Sequence, residues 1–588
     1  MLRKFFFLVS VVLFILSCGK SEKEQNASSG LTPANGGKFY GGVFRMNESE
    51  YIKTLFPPNL TDAFSYRVAC QVYEGLLKFN QSDLTLKPGI AESWTVDETG
   101  TVYTFKLRKG IKFHDDVCFP DGKGRELKAS DVKYCFTFLC TQNPNNQGFH
   151  IFKDVIKGAT AYFNATLFVA KPDFEIEGIK VIDDYTVQFS LEKPSSIFLY
   201  QLARSFTFVF PKEAYDKYGL EMRIHPVGTG PFYLSSIEED ISIILKRNPN
   251  YWGQDSVGNK LPFFDAISVT FIKDRKAELF EFKKGNLDMV YRLPTDNIIE
   301  IVEDAMDKTK KGEYTQYQLQ RKPEMATHYL TFNNQSELFK NKNIRKAISY
   351  AIDRRKILEF VLQGEGYKAG LNGVTPPVFQ NYDIEKIKGY DLNIDSAKYF
   401  LSKAGYPSGK GFPKVQLVLN SDAERNKNVA VEVQKQLKDN LNIDIELQIL
   451  PFAQHIENVL NGKTDFFRIG WIADFPNPEN FLYLFYGKEV PASKNDKSYP
   501  NMARYVNSAF DDFYVKGLNS KTEVEAFDNF MKAEQILMAD APVVVLWYDE
   551  GYRLLQPTVQ KFPSNAMQYR DLSDVYFSQP ATGVAVGK

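Results

Sequence analysis

The stretch D-F-F-R-I-G-W-I-A-D-F-P-N-P-E-N, residues 465–480, joins a short apolar strand to a proline-rich exit. The strand carries one arginine, Arg468, and reaches Trp471 three residues before Asp474. A carboxylate beside an aromatic ring at a strand end can bind a cationic group, and an arginine on the same strand can bind an anionic one. The stretch therefore predicts part of a ligand cleft between two lobes, with one side chain for each sign of charge.

The residues around this stretch predict how the lobes are built. Residues 443–449 alternate apolar and polar side chains, residues 452–460 form a helical pattern, and Gly462 precedes the strand from Asp465. The order strand, helix, Gly-x-x-Asp, strand is that of a crossover between parallel strands. Residues 267–290 repeat the order in the other half of the chain, which favours two α/β lobes on one plan. Coincidence remains the alternative, because βαβ units are common.

Periodicity predicts further elements. We expect one helix that starts at Ser130, a second over 344–352 and a third over 397–404. A fourth would have Val429, Val433 and Leu437 facing inward. The strands are expected at 102–107, 111–115, 186–191, 415–419 and 542–548.

The bulk composition limits the classes of function. The chain has 588 residues, so two or more domains are expected, and its 72 basic residues balance 72 acidic ones. No basic block indicates a nucleic-acid partner. The histidines are not spaced as metal ligands, and we expect neither a metal nor a cofactor. They are His114, His150, His225, His328 and His455.

The N-terminus resembles an export signal. A basic start at Met1–Lys4 precedes an apolar run that ends before Ser17-Cys18. We expect a signal peptide over 1–17, lipid attachment at Cys18 as in the bacterial lipobox, and a polar tether and anchor over 18–39. An ordinary signal peptide with an incidental cysteine is the alternative. No later stretch predicts a membrane span, so we expect a body tied to a membrane surface.

Four cysteines follow the anchor, and their pairing is open. One disulfide among Cys118, Cys135 and Cys140 is one alternative, because export permits disulfides. Free buried thiols are the other, with Cys70 as the fourth cysteine.

Ordered motifs resemble one known family. They are Y-E-G-L-L at 73–77, P-G-I-A-E-S-W at 88–94, Y-T-F-K-L-R-K-G-I-K-F-H-D at 103–115, A-S-D-V at 129–132, G-T-G-P-F at 228–232, R-N-P-N-Y-W at 247–252, I-R-K-A-I at 344–348, A-I-D-R at 351–354, A-G-Y-P at 404–407 and G-W-I-A-D-F-P at 470–476. Together they resemble the bacterial extracellular solute-binding proteins of family 5, the oligopeptide and dipeptide transport type, over about residues 40–560.

The resemblance implies a two-lobed periplasmic-binding-protein fold, α/β, of class II with hinged lobes, and an extra domain inserted in the N-terminal half. Lobe I would comprise 40–86, 221–318 and 546–588. The inserted domain would be 87–220, and lobe II would be 319–545.

The resemblance also implies roles for residues. Asp474 would accept a peptide's α-ammonium, and Arg468 would meet its carboxylate. The strand that ends at Trp471 and Ile472 would line the cleft and pair with the ligand backbone, as would the segment after Glu74 and Gly75. The alternatives are a turn for Asp474, an ion pair for Arg468, core packing for Trp471 and a structural role for Glu74.

By the same resemblance the chain is a monomeric binding protein, not an enzyme. It would capture short peptides at the periplasmic or cell-surface face of a bacterial membrane and deliver them to the permease subunits of an ABC transporter. A non-peptide ligand (nickel, haem, an opine or an oligosaccharide) is one alternative, and a secreted hydrolase is another. The chain departs from the family pattern at 115–128, which is longer, and at Asn477, where many members carry an acid.

Overall fold

A computed structural model describes residues 30–311, 316–420, 424–494 and 496–579. The predicted signal peptide, Cys18 and the tether up to residue 29 lie outside the described residues. The last part of the expected tether is folded, because Thr32–Pro33 pairs with Phe39–Tyr40. Lys38 there forms an ion pair of 2.7 Å with Asp255. The expectation of a tether that continues to residue 39 is therefore wrong.

A four-stranded sheet is built from residues of the expected lobe I. Its strand order is Phe232–Glu238, Ser242–Arg247, Ala266–Thr270 and Val43–Asn47. The first three strands are antiparallel neighbours, and the last pair is parallel. Residues from both sides of the expected insertion thus share one sheet.

A second four-stranded sheet lies wholly within residues 87–220. Its order is Ala91–Val96, Val102–Leu107, Thr186–Ser190 and Ile179–Asp183. The alternation over 102–107 is confirmed, with Tyr103, Phe105 and Leu107 buried. The strand expected at 111–115 is wrong. The backbone N–H of Phe113 donates to the carbonyl of Arg125, and that of His114 donates to the carbonyl of Gly228. Successive residues therefore bond to two different segments, and no continuous strand ladder forms.

A seven-stranded sheet occupies the C-terminal half. Its path is Met289–Tyr291, Val543–Leu555, Gln318–Phe332, Phe466–Ile472, Val415–Asn420 and Ile445–Leu450, with Lys368–Ala369 beside Val543–Leu555. Val415–Asn420 runs parallel to both Ile445–Leu450 and Phe466–Ile472. The helices Glu424–Leu441 and Phe452–Leu460 make the two crossovers, as the sequence predicts.

The repeat of this plan in the N-terminal half is not a crossover within one sheet. Strand Ala266–Thr270 and helix Arg275–Lys283 form as predicted, but the next strand, Met289–Tyr291, pairs with Val543–Leu555 in the larger sheet. Met289–Tyr291 pairs with the edge of the long C-terminal strand. Periodicity describes a segment by itself, so it could not predict a partner so distant in sequence.

Two long antiparallel strands run through the larger sheet. Gln318–Phe332 and Val543–Leu555 pair from Gln318–Leu555 to Thr331–Val543, with a register shift between Pro323 and Thr327. The expected lobe boundaries, 318/319 and 545/546, fall at the start of the first strand and inside the second. This strand pair therefore crosses the expected boundary between the two lobes.

The remaining elements cover these sheets. The α-helices are Ala63–Val72, Ala129–Leu139, Ala159–Ala165, Phe198–Gln201, Lys212–Tyr218, Arg275–Lys283, Thr295–Lys311, Lys342–Tyr350, Arg354–Lys356, Ile394–Lys403, Glu424–Leu441, Phe452–Leu460, Glu479–Leu482, Ser508–Leu518 and Glu523–Asp540. Short strand pairs form between Leu77–Phe79 and Leu86–Pro88 and between Val559–Gln560 and Tyr576–Phe577. Among the described residues, no helix combines the length and apolar character needed to cross a bilayer.

The cysteine alternatives are decided by the structure. Cys70, Cys118, Cys135 and Cys140 are all free thiols. Cys135 lies against the backbone of Phe210, and its Sγ donates to that carbonyl at 3.2 Å. The disulfide alternative is wrong. The alternative of free buried thiols is confirmed for Cys70, Cys135 and Cys140, whereas Cys118 is free but only half-buried.

Candidate functional site

Strand Phe466–Ile472 presents an open backbone edge. On one side it pairs along its whole length with Gln318–Phe332, and the N–H of Ala473 continues that ladder to Met325 at 2.8 Å. On the other side the ladder with Val415–Asn420 is confined to Phe467. Because alternate residues of a strand point their N–H and C=O groups to opposite edges, Gly470 and Ile472 face the second side. No strand among the described residues covers them there.

Asp474 lies just beyond this edge and is held by its backbone. Its N–H donates to Asn480 Oδ1 at 3.0 Å, and the indole N–H of Trp471 donates to the same oxygen at 2.9 Å. The Asp474 side chain itself remains 40% exposed. The carboxylate is thus fixed in position while still open to solvent, as a recognition group must be.

Arg204 is the partner of Asp474, and the sequence did not indicate it. Its Nη2 donates to Asp474 Oδ2 at 2.7 Å, and its Nη1 donates to Gln201 at 2.9 Å. Arg204 belongs to the expected inserted domain and Asp474 to lobe II, so the pair joins the two parts. Tyr200 and Phe475 stack beside it with ring centroids 6.0 Å apart. No local pattern marks Arg204, because its partner lies 270 residues away.

Arg468 occupies the same face of the strand as Asp474 but belongs to a different cluster. Its guanidinium contacts Asn420 Oδ1 at 3.3 Å and donates to His328 Nδ1. His328 Nε2 lies 2.8 Å from Asp549. Burial lowers the pKa of His328 to about 3, so its ring is neutral at pH 7. His328 therefore accepts from Arg468 and donates to the Asp549 carboxylate.

Asp549 is the centre of this buried cluster, which lies at the middle of the two long strands. Arg292 and Arg425 approach it at 2.8 and 3.2 Å, and each also contacts another carboxylate, Glu324 and Glu365 respectively. Burial alone would raise the pKa of Asp549, but these guanidiniums hold it well below its usual value. Arg468 is linked to this charge network through the neutral ring of His328.

Trp471 and Ile472 fall on opposite faces of the strand. Ile472 is 43% exposed on the face that carries Asp474. Trp471 is half-buried on the other face, where it lines a small apolar pocket with Tyr329, Ile469 and Phe485. Gly470, which precedes Trp471, lies against the neighbouring strand, since a Cβ there would come 2.7 Å from His328 Nδ1.

Glu74 belongs to a buried cluster, and Gly75 packs beside the segment that carries Arg204, since a Cβ at Gly75 would come 3.0 Å from the carbonyl oxygen of Leu202. Glu74 is 1% exposed and accepts from Thr229, Tyr251 and Trp252 at 2.8–3.1 Å. Its carboxylate also lies 2.6 Å from Lys78 Nζ. Glu74 thereby joins the E-G-L, G-T-G and N-Y-W motifs in space. The carbonyl of Gly75 accepts from Ile90, so one edge of this segment is already paired within the protein.

Glu479 adds a titratable group beside the exit from the strand. It is 3% exposed and accepts from Tyr514, and burial raises its pKa to about 7. A carboxyl with a raised pKa in the folded state binds its proton more tightly there than in the unfolded chain. Stability therefore falls as the pH rises from the ordinary value near 4.5 towards 7, and the penalty is absent below 4.5.

We expect Glu479→Gln to remove this pH dependence. Wild-type stability should fall about 1 kcal/mol per pH unit more steeply than that of the variant between pH 5 and 7. Urea unfolding at half-unit pH intervals measures the difference. Glu385→Gln, which changes an exposed glutamate, is the control and should follow the wild-type curve. Parallel curves for wild type and Glu479→Gln would contradict the expectation.

By strand alternation Arg468 and Ile472 share the face that leads to Asp474, whereas the carboxylate of Glu74 lies in a separate buried cluster. No cluster of three or more potential metal ligands occurs in the part of the chain that the structure describes. The residues missed from sequence are Arg204 and the group around Asp549, all placed by contacts between distant segments.

Comparison with known proteins identifies the family. Residues 85–492 match the family described as "Bacterial extracellular solute-binding proteins, family 5 Middle". The chain belongs to this family. The solute-binding protein is 26% identical to heme-binding protein A of Haemophilus influenzae over 571 residues, 96% of each chain. It is 27% identical to the oligopeptide-binding protein OppA of Bacillus subtilis over 514 residues, 84% of this chain and 85% of that protein.

Solved structures agree on the fold of this solute-binding protein. The periplasmic binding protein DppA of Helicobacter pylori, in complex with the peptide STSA, superposes with a TM-score of 0.78. It covers 92% of this chain and 99% of its own, at 24% sequence identity. The two-lobed α/β fold implied by the motifs is therefore confirmed.

Proposed function

We propose that this protein captures short peptides in the cleft between its lobes and delivers them to an ABC importer. The observation that carries the proposal is the open edge at Gly470 and Ile472, which leads directly to the exposed carboxylate of Asp474. An extended peptide added to this edge forms main-chain hydrogen bonds that do not depend on its side chains. Its N-terminal ammonium then lies at Asp474.

Charge pairing sets the direction of the bound peptide. A peptide zwitterion in a closed cleft needs a partner for each charge, because an unpaired buried charge costs several kcal/mol. Asp474 serves the ammonium and Arg468 the carboxylate. The two residues lie on the same strand face, about 20 Å apart between Cα atoms at 3.4 Å per residue. The long arginine side chain shortens that span, so a ligand of a few residues fits it.

The two four-stranded sheets fall within the proposed lobe I and inserted domain, whereas the seven-stranded sheet takes strands from both proposed lobes. Lobe I would comprise 40–86, 221–318 and 546–588, lobe II would be 319–545, and 87–220 would be the inserted domain. The pair Arg204–Asp474 closes the cleft on one side, and the two long strands connect the lobes on the other. We further propose a monomer without catalytic activity, attached to a bacterial membrane through lipid at Cys18, with permease subunits as its partners.

Arg204 already neutralises part of the charge of Asp474, so it competes with the ammonium of the ligand. We expect Arg204→Gln to raise the ratio of affinities for a free tripeptide over its N-acetylated form by about 10-fold, or ~1.4 kcal/mol. The ratio cancels any effect of the variant on lobe closure, because both ligands need closure. Isothermal titration calorimetry measures both affinities. Arg223→Gln, which changes a 42% exposed arginine, is the control; an unchanged ratio in Arg204→Gln would oppose the competition.

Native mass spectrometry of the purified protein tests the ligand class. We expect a co-purifying mixture of short peptides, which denaturation releases. The similarity to a protein named for haem binding makes haem the second candidate, and a Soret band on titration with hemin would support it. A bound haem, opine or sugar with no peptide would overturn the proposal, and so would cleaved products from an added peptide library.

A further inference from the structure

A second cavity lies at the end of lobe II that is remote from Asp474. It measures about 370 Å³ and is lined by residues from 334–345, which follow strand Gln318–Phe332, by residues 504–506, and by Asp540, which precedes strand Val543–Leu555. At these ends Phe332 pairs with Phe466, the first residue of the strand that leads to Asp474. The strand from Phe466 to Ile472 therefore separates the cavity from the cleft by ~20 Å.

Positive charge dominates the lining of this cavity. Lys340, Lys342, Arg345 and Arg504 contribute four cations, and Asp540 is the one carboxylate in the lining. The carboxylate of Asp540 is engaged elsewhere, since it accepts from Tyr505 at 3.1 Å and Asn507 at 2.8 Å. Its nearest cation, Lys342 Nζ, lies 3.8 Å away. Lys340 pairs with Glu337, which is 87% exposed and outside the lining.

Arg504 is buried without a full set of acceptors. It is 2% exposed, and its Nη2 donates to the carbonyls of Leu460 and Asp496. Its Nε and Nη1 make no hydrogen bond to the residues that the structure describes. Buried donors are rarely left without acceptors, so these two nitrogens of Arg504 leave the cavity wall able to donate to a bound oxyanion.

The backbone around Arg504 is also specialised. Arg504 has φ +49°, a left-handed conformation that is costly for a residue with a side chain. Gly462 packs on the guanidinium, because a Cβ there would come 3.0 Å from Nε. The fold thus bears local strain to keep this arginine in the cavity wall.

Arg345 supplies a second fixed guanidinium. It is 5% exposed, and its nitrogens donate to the carbonyls of Phe339, Asp540 and Ala541 at 2.6–3.1 Å. These acceptors are neutral, so they orient the group without cancelling its charge. Two rigid guanidiniums and two adaptable lysines then share one cavity.

We propose that this cavity is a second binding site, for a small oxyanion with two or more negative charges, of the phosphate or polycarboxylate class. Guanidinium groups match the geometry of carboxylate and phosphate oxygens, and lysines add charge without a fixed direction. The volume suits a small molecule. The lining carries four cations and one carboxylate, and Glu337 outside it offsets the charge of Lys340, so two positive charges remain in excess and favour a multivalent ion over a monovalent one.

Isothermal titration of the full chain with citrate and with inorganic pyrophosphate tests the site, at constant ionic strength and with acetate as the monovalent probe. We expect saturable binding of at least one multivalent ion, and at least 10-fold weaker binding of acetate. The double variant Lys340→Ala, Lys342→Ala should bind the multivalent ion at least 10-fold more weakly. The control Lys212→Ala, Lys532→Ala removes two lysines of similar exposure and should leave binding unchanged.

Two further results separate this site from the cleft. The double lysine variant should bind peptide as the wild type does. Arg504→Gln should no longer bind the multivalent ion. If Arg504→Gln does not fold, the lysine variant alone decides. Lack of saturable binding for both multivalent ions up to 10 mM, equal weakening in both double variants, or competition with peptide would overturn the proposal.

Discussion

Asp474→Asn should weaken the binding of free short peptides by about 2–5 kcal/mol, or ~30- to ~4000-fold. The variant keeps the shape of the side chain and the hydrogen bond from its backbone to Asn480. It removes the charge that would pair with the ligand's ammonium and, at the same time, the charge that pairs with Arg204 at 2.7 Å. Two cations would then share a closed cleft with no anion between them. Titration calorimetry with a tripeptide measures the loss.

Three comparisons identify the cause of that loss. N-acetylated peptide should bind poorly to the wild type and should lose little more in Asp474→Asn. The double variant Arg204→Gln, Asp474→Asn should recover part of the affinity, since it removes the unpaired guanidinium. Asp216→Asn, which changes a 54% exposed aspartate paired with a lysine, should bind as the wild type does. Affinity of Asp474→Asn within threefold of wild type would contradict the ammonium role.

Stability should distinguish this variant from a structural one. The Asp474 side chain is 40% exposed, so its ion pair with Arg204 is partly screened by solvent. We therefore expect Asp474→Asn to unfold within about 1 kcal/mol of the wild type. The effect of the substitution should appear in binding and not in folding.

The elements that could be predicted from the sequence are those whose periodicity lies within one continuous segment. The strands at 102–107, 415–419 and 466–472 and the helices around Val433 and over 452–460 have clear periodicity, and each forms as predicted. Their apolar positions are local in sequence. The partner of Met289–Tyr291 is a strand more than 250 residues later, so no local pattern could show that the repeated unit divides between two sheets.

The candidate site could likewise be predicted only where its residues belong to one continuous segment. The W-x-A-D pattern locates Asp474 and the strand before it, because both belong to one continuous segment. Arg204, His328 and Asp549 meet this segment only through the tertiary fold. Glu74 shows the converse. Its motif is informative about the family, yet its carboxylate is already paired with Thr229, Tyr251, Trp252 and Lys78 in the protein interior.

Asp549→Asn should destabilise the protein by about 3–5 kcal/mol at pH 7, the usual cost of removing one partner from a buried ion pair. Asp549 is fully buried and receives Arg292, Arg425 and His328 at 2.8–3.2 Å. The substitution leaves both guanidiniums in the interior with only Glu324 and Glu365 as counter-charges. Urea unfolding followed by far-UV circular dichroism measures the loss.

The pH dependence of this loss has a definite sign. Because the pKa of Asp549 is held well below its usual 3.8 in the folded state, its stabilisation is present above that value and is lost only as the pH falls below it. The gap between wild type and variant should thus stay constant from pH 8 to pH 5 and narrow below pH 4. Asp528→Asn, which breaks an exposed pair with Lys532, should cost less than about 0.5 kcal/mol. A loss below 1 kcal/mol for Asp549→Asn would show that the long strands hold the lobes together without this charge network.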